Sequence, residues 1–407
     1  MKNKEISLED ARDYFPALQR KVKGKTLTFF DGPGGTQVPK RVIRAISNYY
    51  RFYNTNSHGQ FQTSIETDRI IDDARRNIAT FLGAEGAPNI SIGQNMTSLN
   101  FALSWAFSKI LVPGDEIVIT QLDHEANRGP WLSLRSYGVK VREVGIKEDG
   151  TLDYEDLKNK ITENTRLIAM GWASNAFGTV NDIKLARELS YKVGAFLLVD
   201  AVHFAPHFSI DVQELGMDFL LCSSYKFYGP HLGFLYSKSG KLDQLPVDRL
   251  STQKQIAPYC IETGTLNHAA LAGVNATIAF LSLFGKGNIL RDRLISGMIA
   301  INKHEQKLAR KLHNEISLIK KLKIIGPEFG KGDRTPTISF VHDSLAAIDL
   351  CRILADNNIT AWDGHFYAQK AIQVLGLEER GGVTRLGISL YNSENDIDKV
   401  IEVLKSI

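Results

Sequence analysis

Cysteine is scarce in this chain: Cys222, Cys260 and Cys351 are the only three in 407 residues. They lie far apart and form no CxxC pair, which argues against a disulfide framework or a zinc knuckle and suits a reducing compartment. No apolar run is long enough to span a bilayer, and the opening MKNKEISLEDARDYF is charged and amphipathic, without the core of a signal peptide. A soluble, cytoplasmic protein is expected. The net charge of +4 is small for this length and no basic run stands out, so neither nucleic acid nor a membrane is an expected partner. No GxGxxG follows a strand pattern and there is no P-loop, which excludes the usual dinucleotide and nucleotide sites. His304-Glu305 lacks the second histidine of HExxH and the other histidines show no ligand spacing, so no metal is expected. What the chain has is core: 43% of its residues are hydrophobic, ample for two or three domains.

The order of patterns suggests how that core is divided. Residues from Ser7 to Gly24 read as an N-terminal helix. TLTFFDGPGGTQVP reads as a short strand running into a Gly/Pro turn that lets backbone approach a ligand. Two helical stretches follow, the second closed by Gly83. From Gly114 the chain alternates short apolar runs with amphipathic segments, the signature of a mostly parallel sheet wrapped by helices. After Tyr259 long helices dominate, and the end mixes strands and helices as a smaller α+β unit. The expected division is an N-terminal arm at 1–25, a large domain at 26–284 and a small domain at 285–407.

Within the alternating region, AFLLVDAVHFAPH holds a strand ending in Asp200, and DFLLCSSYKFYGPHLGFLY holds one ending at Lys226. Carboxyl ends of parallel strands face the ligand crevice of an open α/β sheet, so both residues belong to one rim. Each alone could be a helix cap or a solvated lysine. Together they suit pyridoxal 5′-phosphate (PLP). A partly desolvated lysine is neutral enough to form a Schiff base with it, and an aspartate can keep its ring nitrogen protonated.

With these elements in order, the chain resembles fold-type I PLP enzymes of the class V aminotransferase and cysteine desulfurase family, from about Phe30 to Asn392. The segments that carry the resemblance are LDHEANRGPW, SNAFGT, VDAVH, SSYKFYGP, ETGTLN and VTRLGISLYN. It implies an α/β fold with a large domain built on a mostly parallel seven-stranded sheet and a smaller C-terminal domain. It makes Lys226 the Schiff-base lysine, His124 the residue that stacks on the cofactor ring and a candidate acid–base group, and Asp200 the partner of the ring nitrogen. Asn175 and His203 would meet the ring hydroxyl, with His203 replacing the family's glutamine. The backbone of Asn95 and Met96 at a helix start, with the Ser223 hydroxyl, would hold the phosphate, and Tyr225, standing where desulfurases carry histidine, would be a further cofactor contact. Gly264 and Thr265 would reach the phosphate of a neighbouring subunit, which implies a homodimer with shared active sites. Arg385 would hold the carboxylate of an amino-acid substrate through its guanidinium fork. Gly34 and His365 would line the substrate side.

The chain also departs from that family. Desulfurases attack sulfur with a loop cysteine, whereas the matching segment here, TAWDGHFYAQKAI, has Tyr367 at that position and Trp362 in place of a second arginine. Cys351 and Cys222 read as core residues, and Asp363 adds a carboxylate on the expected substrate side. The leading reading is a C–S or C–Se lyase, or a β-eliminating enzyme, acting on a cysteine-type amino acid. A class V aminotransferase for a small amino acid is the alternative, and a non-catalytic PLP-binding protein a third.

Overall fold

The computed structural model describes residues 6–407. Seven strands form its main sheet: β1 (Ile90–Gly93), β2 (Glu116–Thr120), β3 (Lys140–Val144), β4 (Thr165–Gly171), β5 (Phe196–Asp200), β6 (Phe219–Ser223) and β7 (Gly233–Ser237). Their order is β1-β7-β6-β5-β4-β2-β3, and only β7 runs antiparallel to its neighbours. The expected mostly parallel, seven-stranded sheet is present. Its central strands β5 and β6 are almost wholly apolar because both faces are covered, whereas the edge strand β3 carries Lys140, Arg142 and Glu143 and is only partly buried. Along β6, Leu220 and Cys222 face one core cluster while Phe219 and Leu221 face the other. Helices at Gln62–Leu82 and His268–Leu281 contribute to the first face, and the helix Met96–Ser108 to the second.

A second sheet gathers β8 (Leu322–Ile325), β9 (Thr337–His342), β10 (Trp362–Gly364) and β11 (Val383–Gly387) in the antiparallel order β8-β9-β11-β10. The helix Leu290–Ser317 joins the two parts of the molecule. Leu294, Met298 and Ile301 belong to the main-sheet core, while Leu308, Leu312 and Ile316 belong to the core of the second sheet.

Two expectations are corrected here. The segment from Ser7 to Gly24 is not one helix. It forms short 3₁₀ turns at Asp10–Tyr14 and Pro16–Gln19, then a hairpin pairing Lys21–Val22 with Lys25–Thr26. Pro16 explains this, since proline supplies no N–H and crowds the preceding turn of an α-helix. The arm is fastened by its side chains instead: Arg12 pairs with Asp396 and Phe15 packs 5.0 Å from Tyr391. Residues 1–5 of the expected arm lie outside the described residues. The strand expected to end at Lys226 stops at Ser223, and Lys226 closes a 3₁₀ turn at Ser224–Lys226. The Gly229 N–H donates to the Ser224 carbonyl at 2.9 Å, which closes the loop that follows.

Candidate active site

The carboxyl ends of β1, β2, β4, β5 and β6 open onto one cleft, lined by Asn95, Met96, His124, Asn175, Asp200, His203, Ser223, Tyr225 and Lys226 among others. Every one of these was expected from the sequence. A groove of about 1190 Å³ lies elsewhere against Trp172, Phe204 and His313 and holds none of the expected site residues.

One end of the cleft is built for an anion. Asn95 caps the helix Met96–Ser108, its side chain accepting from the Ser98 N–H at 2.8 Å, and the Met96 N–H points to Ser223 Oγ at 3.2 Å. N–H groups at a helix start carry partial positive charge. Gly233 of β7 permits this arrangement, because a Cβ there would collide with the Asn95 carbonyl and the Met96 nitrogen. Tyr225 lies beside it, its ring stacked on His231 at 4.5 Å.

In the middle of the cleft, His124 Nδ1 accepts from the Ala126 N–H at 2.9 Å, which leaves the proton of the neutral ring on Nε2. Burial, then Lys226 and Arg385, pulls His124 down to about 4. Asp200 is buried and accepts from the Val202 N–H at 2.9 Å; burial, opposed by that bond, brings it up to about 7. His203 Nε2 lies 3.2 Å and 3.0 Å from the hydroxyls of Thr335 and Thr337, while its Nδ1 is buried without a partner. Asn175 donates from Nδ2 to the Phe366 carbonyl at 2.8 Å, which leaves its Oδ1 likewise unpaired. Burial, reinforced by Arg385, lowers Lys226 to about 7. Its amine rests on the carbonyls of Pro33 and Gly34, so Gly34 enters the site through its backbone.

At the far side Arg385 is almost fully buried, and desolvation lowers it to about 9. Its Nη1 donates to the Asn175 carbonyl at 2.8 Å, and its Nε has no partner. Arg385 and Gly34 reach the cleft only through Asn175 and Lys226, without lining it, and three further expected residues lie outside it. Gly264 and Thr265 are exposed and stand apart from it, and His365 is exposed, its Nδ1 accepting from the Tyr367 N–H at 3.0 Å. Asp363 is corrected outright. It pairs with Thr384 across β10 and β11, and its charge acts on Cys351 behind the strand, while its neighbour Trp362 is the register partner of Arg385. Strand alternation puts Asp363 on the opposite face from Arg385. All three cysteines are buried, with Cys351 pushed up to about 12 by desolvation, so no reactive thiol faces the cleft.

Two contributors escaped the sequence reading. Asp123 is fully buried, binds the Gly171 N–H with both oxygens at 3.0 Å, and is raised to about 6 by burial. Its position directly before His124 was the available signal. Phe366 lies 3.8 Å from the Arg385 guanidinium carbon, a contact made by strand pairing that nothing local announces. Among the described residues, no group of three or more His, Cys, Asp or Glu side chains could hold a metal ion, and no helix is long and apolar enough to cross a membrane.

The family model for class V aminotransferases matches residues 28–400. A probable cysteine desulfurase of Halalkalibacterium halodurans is 31% identical, over 98% of each chain. The aminotransferase-like protein FGM3 of Gibberella zeae is 31% identical over the whole of both. Among solved structures, the cysteine desulfurase of Thermococcus onnurineus NA1 superposes with a TM-score of 0.87 at 26% identity, covering 98% of this chain and 97% of its own.

Proposed function

The chain belongs to the class V aminotransferase family, and on that premise we propose that it is a PLP-dependent enzyme acting at Cα of a small L-amino acid. One observation carries this reading: Lys226, Asp200 and His124 line the same cleft as the unpaired Asn175 Oδ1 and His203 Nδ1. Buried polar atoms without partners are rare, and two in one cleft suit a polar ligand that supplies the missing bonds.

The residues fit PLP. The helix start at Met96 and the Ser223 hydroxyl suit its phosphate, and the unpaired Asn175 and His203 atoms suit its ring hydroxyl. His124 offers a neutral face for stacking, and Asp200 a carboxylate for the ring nitrogen. A cation at that nitrogen would oppose the burial that now raises Asp200. Lys226 is the attachment point, and burial leaves a large share of its amine neutral near pH 7. When bound, PLP supplies a sink for the electron pair released at Cα. The protein supplies the rest. The free Nε edge of Arg385 holds the α-carboxylate, Lys226 Nζ takes and returns the Cα proton, and the buried strand ends keep water from both.

For the reaction we favour C–S or C–Se cleavage by β-elimination from a cysteine-type substrate, in keeping with relatives named as cysteine desulfurases. Tyr367 in place of the loop cysteine, with every thiol buried, disfavours a persulfide on this chain. Transamination is the second reading, favoured by the full-length likeness to an aminotransferase-like protein. We further propose a homodimer in which Gly264 and Thr265 serve the partner's phosphate site, the three-part division at 25 and 284, and a cytoplasmic setting in keeping with three free thiols. The deciding experiment gives the PLP-loaded protein L-cysteine and follows alanine, pyruvate, sulfide and pyridoxamine phosphate. Pyruvate with sulfide supports elimination; pyridoxamine phosphate without sulfide assigns an aminotransferase; alanine with sulfur release assigns desulfuration.

A further inference from the structure

The turn after β10 touches the site residues one after another. Phe366 and Tyr367 both hold positive φ, +51° and +60°, a conformation that side-chain-bearing residues keep only where their surroundings enforce it. The enforcement is visible. The Phe366 carbonyl accepts from Asn175 Nδ2 at 2.8 Å, and the Tyr367 carbonyl accepts from the Glu125 N–H at 2.7 Å. Their rings then meet Arg385, at 3.8 Å, and His124, at 5.4 Å between centroids. The third ring is Trp362, cross-strand partner of Arg385, whose Nε1 lies 2.7 Å from where a Cβ on Gly34 would sit.

A stacked ring covers one face of a guanidinium and leaves its in-plane edge open. Arg385 is held in this way. Phe366 covers a face, Asn175 takes Nη1, and Nε is left unpaired. A carboxylate can dock edge-on only, and its plane is fixed by the ring beneath it. The substrate's side chain meets aromatic surface, which favours apolar groups and sulfur. Trp362 and Tyr367 are 51% and 67% exposed, and the rings offer a side-chain carboxylate no further cation: among the described residues Arg385 is the one cation stacked on any of the three.

We propose that Phe366, Tyr367 and Trp362 form an aromatic clamp that admits amino acids with small uncharged or sulfur-bearing side chains and rejects those with a side-chain carboxylate. Phe366 is the positioning residue for Arg385. The proposal rests on the reading of Arg385 as the α-carboxylate site, and two measurements keep its failure apart from failure of that reading.

The first needs no cofactor. Hydrogen exchange of the peptide containing Glu125 is compared in the wild type, Phe366→Ala and Phe366→Trp. Exchange at least tenfold faster in Phe366→Ala, restored by Phe366→Trp, supports the clamp; equal rates in all three overturn it, whether or not the protein takes up PLP. In the second, the PLP-loaded protein is titrated with L-alanine and with L-aspartate, following the visible absorbance. The clamp predicts half-saturation by L-alanine at a concentration at least tenfold below that for L-aspartate. It also predicts a rise of about tenfold for L-alanine in Phe366→Ala and little change in Phe366→Trp. L-aspartate binding as well as L-alanine, or an unmoved Phe366→Ala value, overturns it.

Discussion

Arg385 Nη1 donates to the main-chain carbonyl of Asn175 at 2.8 Å, so the expected carboxylate-binding arginine is tied to the loop that carries an expected contact of the cofactor ring. A lysine at 385 keeps the charge but loses the planar fork and the stack on Phe366. Arg385→Lys should raise KM for an amino-acid substrate by about 10- to 100-fold, the effect of losing about 1.5–3 kcal/mol of charge-assisted hydrogen bonding. Steady-state kinetics check this. A KM within a factor of two of the wild type would remove Arg385 from the substrate site.

How much of this was legible in the sequence depended on what was local. Asp200 and Lys226 stand at or just beyond strand ends, and apolar runs mark strand ends well, so these two were read together, while Asn175 and Ser223 followed from the family resemblance. Asn95 was found because a helix start has its own chemistry. The arm at Ser7–Gly24 was misread because its charge pattern suggested a helix and Pro16 was given too little weight. Asp363 was misjudged by one residue of strand alternation, and that one position sends a side chain to the other face. Phe366 could not be seen at all, since its contact depends on the pairing of β10 with β11.

The pH dependence follows from Lys226. Its ordinary value of 10.5 falls to about 7 in the folded chain. Between those values the unfolded chain binds the extra proton, so stability rises with pH across this window, by up to about 1.4 kcal/mol per pH unit, and the full penalty applies below pH 7. Lys226→Met should flatten that slope. Urea unfolding of the two proteins at pH 6.5 and pH 9.5 measures it. The rate of PLP uptake should likewise climb through pH 7; a rise centred near 10 contradicts the lowered value.

Asp200→Asn keeps an acceptor for the Val202 N–H and removes the charge. PLP should still bind, while kcat falls by about 10²- to 10⁴-fold, the usual range for a lost proton-holding group. An Asp200→Asn enzyme with wild-type kcat would mean that this carboxylate does not face the ring nitrogen.

Arg75 and Glu262 form a buried two-bond ion pair, at 2.5 Å and 2.6 Å, and Glu262 also accepts from the Ile92 N–H at 2.7 Å. Removing one partner strands the other charge, so Glu262→Ala should cost about 3–5 kcal/mol of stability. Denaturant unfolding checks this, and a loss below about 1 kcal/mol would contradict it.

The most direct test is chemical. The protein is incubated with PLP, reduced with borohydride, digested and weighed by mass spectrometry. The account predicts one phosphopyridoxyl group on Lys226, and none in Lys226→Ala. No label, or the same labelling of other lysines in both proteins, would contradict it.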